Sequence, residues 1–258
     1  SGLPPFKKYY LMNGSPEARL DSVMNTEPTL PLVDKTIYSD VGLITLGKVV
    51  EAVSGVPLDS LVDSLIFEPL GMSSTYFNPP KNRIKRLVPT EYSELYGELI
   101  HGYVHDENAH SLGGVAGHAG LFSTASDLAI FSQMMLNGGI YGWKRIFKSN
   151  TVDQFTQRAN VIEGSSRALG WDTPSGKASG GVFLPDESFG HTGYTGTSLW
   201  IDSKNQIFVI LLTNAVHPNR SYKSPNYFDW RQRIHSAVYE SVGLMDKNPN
   251  LQWRKSWE

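Results

Sequence analysis

A chain of 258 residues is long enough to bury a sizeable core, in one large domain or two small ones. Hydrophobic residues make up 40% and charged residues 19%, an ordinary balance for a globular protein, and a net charge of −2 without a basic stripe argues against nucleic acid as a partner. With no cysteine there is no disulfide, no thiolate metal site and no cysteine nucleophile. No run approaches the ~18 apolar residues of a membrane helix, and no signal peptide is visible. The opening Ser1-Gly2-Leu3-Pro4-Pro5 reads as the inside of a loop, as expected of a piece that starts mid-domain.

The first 37 residues, rich in Pro, Gly and Asn, show no sustained period and read as an irregular covering segment. From Asp40 the apolar residues Val41, Ile44, Leu46, Val49, Val50 and Val53 recur with helical spacing up to Ser54-Gly55, which predicts an amphipathic helix with a glycine stop. Pro57 to Leu70 predicts a second helix ended by Gly71. The stretch from Asn78 to Gly120 is long, polar and irregular, a pattern usual for a functional loop or lid. Ser123 to Asp127 carries hydroxyl caps and an early acidic residue, predicting a helix through Leu136. Ser198–Ile201 and Ile207–Leu212, flanking 202–206, predict a hairpin whose second strand is apolar enough to be buried on both faces. Tyr227 to Val242 predicts a closing helix, with Ile234, Val238, Tyr239 and Val242 on its inner side. Helices, then an antiparallel hairpin, then a terminal helix give an α+β fold class. No linker is evident, so 1–258 is expected as a single domain, helical and looped over about 1–160 and sheet plus C-terminal helix over about 161–258.

Two short motifs carry candidate chemistry. Tyr38-Ser39-Asp40 opens the first predicted helix, and His191-Thr192-Gly193 precedes the first strand of the hairpin. An acyl-transfer serine enzyme needs a nucleophile, a base for its proton, and donors for the oxyanion. A tyrosine serves as base only where cations lower its pKa from ~10. Read alone, Tyr38 is a half-buried aromatic, Asp40 an N-cap, and His191 an exposed residue in a tight turn.

Taken together, the two motifs resemble the second and third motifs of the penicillin-recognising serine hydrolases, which include β-lactamases, D-alanyl-D-alanine peptidases and related esterases. Ser1-Gly2-Leu3-Pro4, Glu68-Pro69-Leu70-Gly71-Met72 and Gly117-His118-Ala119-Gly120-Leu121-Phe122-Ser123-Thr124-Ala125-Ser126-Asp127-Leu128 resemble further phrases of that family, so the likeness spans Ser1 to about Leu244. The family's first motif, Ser-x-x-Lys, is missing: no serine in the chain is followed three residues later by lysine. The resemblance therefore implies the C-terminal portion of such an enzyme, without its nucleophile and inactive as it stands. It implies Tyr38 as general base and Asp40 as the group that orients the absent lysine. His191 and Thr192 would border the acyl pocket, Gly193 would leave room for substrate, and the backbone N–H of Tyr194 would serve as an oxyanion donor. Two positions depart from the usual pattern. Asp40 stands where Asn is commonest and cannot donate an amide hydrogen, and His191 stands where Lys is commonest.

The resemblance implies a small-molecule or peptidoglycan-derived substrate such as a D-alanyl peptide, a β-lactam or a small ester, no cofactor, and the bacterial periplasm or cell envelope. The absent part would leave core exposed, or have its place taken by a partner chain or a swapped dimer; some relatives carry an upstream glycoside-hydrolase module. A rival reading is a non-catalytic binding or scaffold domain that retains the fold. Four of the seven histidines, His101, His105, His110 and His118, lie close together in sequence. They are expected to belong to a loop over the site entrance, with His105, Asp106 and His118 in internal hydrogen bonds, ahead of substrate contact or a metal set, and no metal ligand is assigned. A nucleophile-elbow hydrolase is poorly supported, because there is no Gly-x-Ser-x-Gly. Lys7-Lys8 and Lys81–Arg86 read as solvated charge, Trp143, Trp171 and Trp200 as core or interface, and Gly113-Gly114 and Gly180-Gly181 as flexible corners.

Overall fold

The computed structural model describes residues 1–223 and 226–255, which form two compact units, Ser1–Thr124 and Ala125–Glu258. Both combine helices with short antiparallel sheets, and the fold class is α+β.

In the first unit a 3-10 turn at Tyr9–Leu11 leads to helix α1, Pro16–Met24. This helix lies in the segment expected to be irregular. Its signal is local and not periodic: the Ser15 hydroxyl caps it by accepting from the Ala18 N–H, Pro16 sits at the first helical position, Glu17 lies in the first turn, and only Val23 is buried. Helix α2, Asp40–Ser54, ends as expected on Gly55 with φ of 70°. Its N-cap is Ser39, not Asp40. The Ser39 hydroxyl accepts from the Gly42 N–H at 3.0 Å and donates to the Pro4 carbonyl at 2.7 Å, while the Asp40 N–H donates to the Pro5 carbonyl at 2.9 Å. Ser39→Ala is expected to destabilise the unit by about 0.5–2 kcal/mol, the usual worth of a hydroxyl cap; a thermal melt unchanged from wild type would contradict that role.

The predicted second helix is broken into α3 (Leu58–Val62), a wide π turn (Asp63–Phe67) and α4 (Glu68–Leu70) before Gly71. Pro69 explains the widening, because it has no N–H for the ladder and its ring displaces the carbonyl four residues back. The long polar stretch is more structured than its sequence suggests. Strand β1 (Tyr76–Phe77) pairs with β4 (Leu121–Phe122), β2 (Tyr92–Ser93) with β3 (Glu98–Leu99), and helix α5 (Glu107–Ser111) lies between. Tyr9, Val23, Val41, Ile44, Val104, Ala109 and Ala116 form the core. The other side of α2 is bare: Leu43, Leu46, Val50 and Val53 are exposed, and Leu43, Leu46, Val50, Leu58 and Val62 line an apolar cavity of about 260 Å³.

The second unit begins with helix α6, Ala125–Leu136, followed by the hairpin of β5 (Ile140–Tyr141) and β6 (Lys144–Arg145). Trp143 stands fully exposed at its tip, outside any core. After helix α7 (Ser149–Thr156) come β7 (Phe189–Thr192), β8 (Ser198–Asp202) and β9 (Ile207–Leu211), an antiparallel sheet in that order. The predicted hairpin is present, but β9 is an edge strand with only Val209 fully buried, so it is not covered on both faces. Gly180 is no flexible corner. A methyl group there would sit 2.6 Å from the Trp200 ring, and one at Gly190 would sit 2.5 Å from it, so the indole is gripped between two glycine backbones.

Helix α8, Asn226–Ser241, buries Arg231, Gln232, His235, Ser236 and Tyr239, while Ile234 and Val242 are exposed. The inner face is rotated from the apolar side because these polar side chains have partners in the core. Gln232 donates to the Ala178 and Gln252 carbonyls, Ser236 accepts from the Val182 N–H, and Tyr239 donates to Asp202 at 2.9 Å. His235 shares a 2.9 Å hydrogen bond with Ser198, and its Nδ1 has no partner among the described residues. Burial, helped by the Arg231 charge, lowers its pKa from 6.5 to about 4. The folded state then resists protonation between pH 6.5 and 4 while the unfolded chain accepts a proton. Stability is present above pH 6.5 and lost as pH falls through that window, by a total on the order of 3 kcal/mol. Urea midpoints measured from pH 7 to 4 should fall less steeply in His235→Gln than in wild type; equal slopes would remove His235 as the cause.

Candidate active site

The six sequence-predicted site residues divide between the units, Tyr38 and Asp40 in the first and His191 to Tyr194 in the second. In the first unit Tyr38 precedes the Ser39 cap and is 58% exposed as a residue. Asp40 occupies the first helical position, where the helix dipole favours a carboxylate. Burial pushes its pKa up, His118 pulls it down, and Asp106 adds a further upward push. His118 Nε2 lies 2.8 Å from Asp106 Oδ1. Burial drives Asp106 up, but the hydrogen bond and charge of His118, with the Ala109 N–H, hold it below the ordinary carboxylate value.

The four clustered histidines do not converge on one point. His101 Nε2 bonds the Leu87 carbonyl at 3.0 Å, and His105 pairs with the buried Glu91 at 2.9 Å. His110 packs against the rings of Tyr96 and Tyr103. Asp40, Asp106 and His118 are the set of carboxylates and imidazole that gathers most closely among the described residues, each offering an atom within 4.8 Å of the others. His118 Nε2 is engaged by Asp106, while its buried Nδ1 has no hydrogen-bond partner among the described residues.

In the second unit β7 ends at Thr192 and the chain turns through 193–196 before β8. Gly193 donates to the Thr197 carbonyl at 2.8 Å, and a methyl group at Gly193 would lie 2.2 Å from the Thr197 hydroxyl, so only glycine fits. His191 is half-buried, not exposed. Arg167 donates to its Nε2 at 3.2 Å, which leaves Nδ1–H to donate to the Thr192 carbonyl at 3.0 Å. Burial and the neighbouring Arg167 charge both lower the His191 pKa, so the imidazole is neutral near pH 7.

The permanent cation at this motif is therefore Arg167, which the sequence reading missed. No local pattern points to it. It arrives because Asp172 pairs with Gly190 along β7 and Arg167 bridges back to Asp172. Two further cations gather at Tyr194: Lys223 Nζ donates to its carbonyl at 2.5 Å and lies 4.3 Å from its ring centre, and the Arg220 guanidinium lies 6.0 Å from that ring.

Comparison with known proteins gives this geometry its setting. A provisionally named D-alanyl-D-alanine carboxypeptidase of Salmonella heidelberg (strain SL476) is 39% identical over 241 residues, covering 84% of this chain and 54% of that protein; a counterpart from Salmonella typhi matches equally. The chain thus spans about half the length of the curated relatives it matches. Among solved structures, a penicillin-binding protein homologue from Caulobacter crescentus superposes with a TM-score of 0.65 at 15% identity, over 93% of this chain and 68% of that one. A β-lactamase/D-alanine carboxypeptidase from Yersinia pestis gives 0.62 at 22% identity, over 93% and 64%. These low identities speak for the fold alone. The Beta-lactamase family model matches residues 1–233, and the chain belongs to that family.

Proposed function

We propose that the chain is the C-terminal portion of a serine hydrolase that forms an acyl-enzyme on amide or ester bonds, and that it is inactive without a Ser-x-x-Lys supplied from outside these 258 residues. The observation that carries this reading is the presence, in one family member, of Tyr-Ser-Asp at a capped helix start and His-Thr-Gly at the end of β7. Tyr38 takes the serine proton as general base, and Asp40 accepts a hydrogen bond from the lysine ammonium. The Tyr194 N–H donates to the oxyanion, Thr192 offers a hydroxyl to substrate, and Gly193 leaves space for it. His191, neutral and held by Arg167 and the Thr192 carbonyl, borders the acyl group as a fixed imidazole and not as the cation a lysine would supply.

The gathering of Arg220 and Lys223 at Tyr194 favours a substrate with a free carboxylate, and a D-alanyl peptide of the cell envelope meets that requirement. This agrees with the name carried by the Salmonella relatives. The bare face of α2 and its cavity suit the additional polypeptide that brings the serine, or a swapped copy of it. The test is release of D-alanine from a diacyl-lysyl-D-alanyl-D-alanine peptide, by the chain alone and by the gene product that includes the preceding polypeptide. Release only by the longer protein is expected. Release by the chain alone would place the nucleophile within it. No release by either would favour the binding-domain reading, to which Asp40 in place of Asn and His191 in place of Lys already lean.

A further inference from the structure

The segment carrying His118 is pressed onto α2 through two glycines. A methyl group at Gly117 would lie 2.1 Å from the Leu43 carbonyl oxygen, and one at Gly47 would lie 3.1 Å from the Gly117 nitrogen. Gly117 has no room for a side chain and Gly47 has little, so the backbones meet directly. This contact seats the next residue, His118, near the first turn of α2, where Asp40 stands. The His118 side chain is only 3% exposed. Its Nε2 is fixed on Asp106 Oδ1 at 2.8 Å, and the same oxygen caps α5 by accepting from the Ala109 N–H at 2.8 Å. Asp106 is thus anchored from two sides.

Two carboxylates and an imidazole each place an atom within 4.8 Å of the others. Carboxylates this close repel, and a partly buried one favours its neutral form unless a donor or cation compensates. The other titratable side chain acting on this cluster is His105, whose Nε2 lies 2.9 Å from Glu91.

We propose that His118, oriented by Asp106 and by the Gly47–Gly117 contact, is a positioning residue that keeps Asp40 ionised at the start of α2. Its use to the enzyme rests on the reading above, in which Asp40 must be an anion to accept from a lysine. The coupling itself is a property of this chain and needs no catalysis. Interaction between two titrating groups is reciprocal, so it can be read from either side.

The experiment is an NMR titration of the intact chain in the presence of EDTA. It follows the His118 ring in wild type and Asp40→Asn, and the Asp40 carboxyl carbon in wild type and His118→Gln. Loss of the Asp40 carboxylate should lower the His118 midpoint by about 0.5 unit or more, roughly a threefold loss of proton affinity. Loss of the imidazole should raise the Asp40 midpoint by a similar amount. A histidine that only packs would lower the melting temperature when replaced and leave the Asp40 midpoint where it was, and unchanged midpoints overturn the proposal. Should His118→Gln fail to fold, the Asp40→Asn arm decides alone, since it changes only a side chain at the helix start. If coupling is found and the longer protein still forms no acyl-enzyme, the functional reading fails and this one stands.

Discussion

Trp200→Ala is expected to destabilise the second unit by about 3–5 kcal/mol, the range for deleting a large aromatic from a packed core. Trp200 is 2% exposed and sits at the centre of the sheet, paired with Gly190 on β7 and Val209 on β9. Its Nε1–H donates to the Ser179 hydroxyl at 3.0 Å, so truncation also strands a buried serine. The glycine backbones at 180 and 190 cannot close the cavity without moving β7, which carries His191 and Thr192. Denaturant unfolding of wild type and variant measures the cost, and a loss below about 1 kcal/mol would show that the site collapses freely. The same variant should shift the His191 ring resonances, because the strand that presents them has lost its support.

Tyr38→Phe should have the opposite profile, a large effect on chemistry and almost none on the fold. Tyr38 is mostly exposed, so the stability change is expected within about 0.5 kcal/mol. In a polypeptide that also carries Ser-x-x-Lys, loss of the general base should lower kcat/KM by about 10²–10⁴-fold. A fall in kcat with little change in KM would mark a role in the transition state and not in binding. A variant with near wild-type turnover would remove Tyr38 from the mechanism.

Local signals carried much of the fold into the sequence. Helix α2 was legible because its apolar spacing and its Gly55 stop agree with one another. The β8–β9 hairpin was legible because two β-rich runs flank a polar five-residue loop. Where only one kind of signal was present, the reading slipped. α1 has caps but little periodicity, and the turn at Asp63–Phe67 is set by a single proline. The face of α8 could not be read from hydropathy, since Gln232, His235 and Ser236 are buried by virtue of partners distant in sequence.

The candidate site divides in the same way. Its two tripeptides are visible as motifs, whereas the groups that set their electrostatics are not. Arg167 reaches His191 through a strand bridge 24 residues back, and His118 reaches Asp40 through a contact between glycines. The motif letters therefore do not show that the permanent cation beside His191 is Arg167.

The central claim is that this chain is the body of a serine acyl-transfer enzyme whose nucleophile lies outside it. The most direct measurement is intact-mass analysis after reaction with a fluorescent penicillin, on the chain alone and on the longer gene product. The account predicts a single stoichiometric adduct on the longer protein, at a serine followed three residues later by lysine, and no adduct on the chain alone. An adduct on any serine within residues 1–258, or a folded longer protein that takes no label, would contradict it.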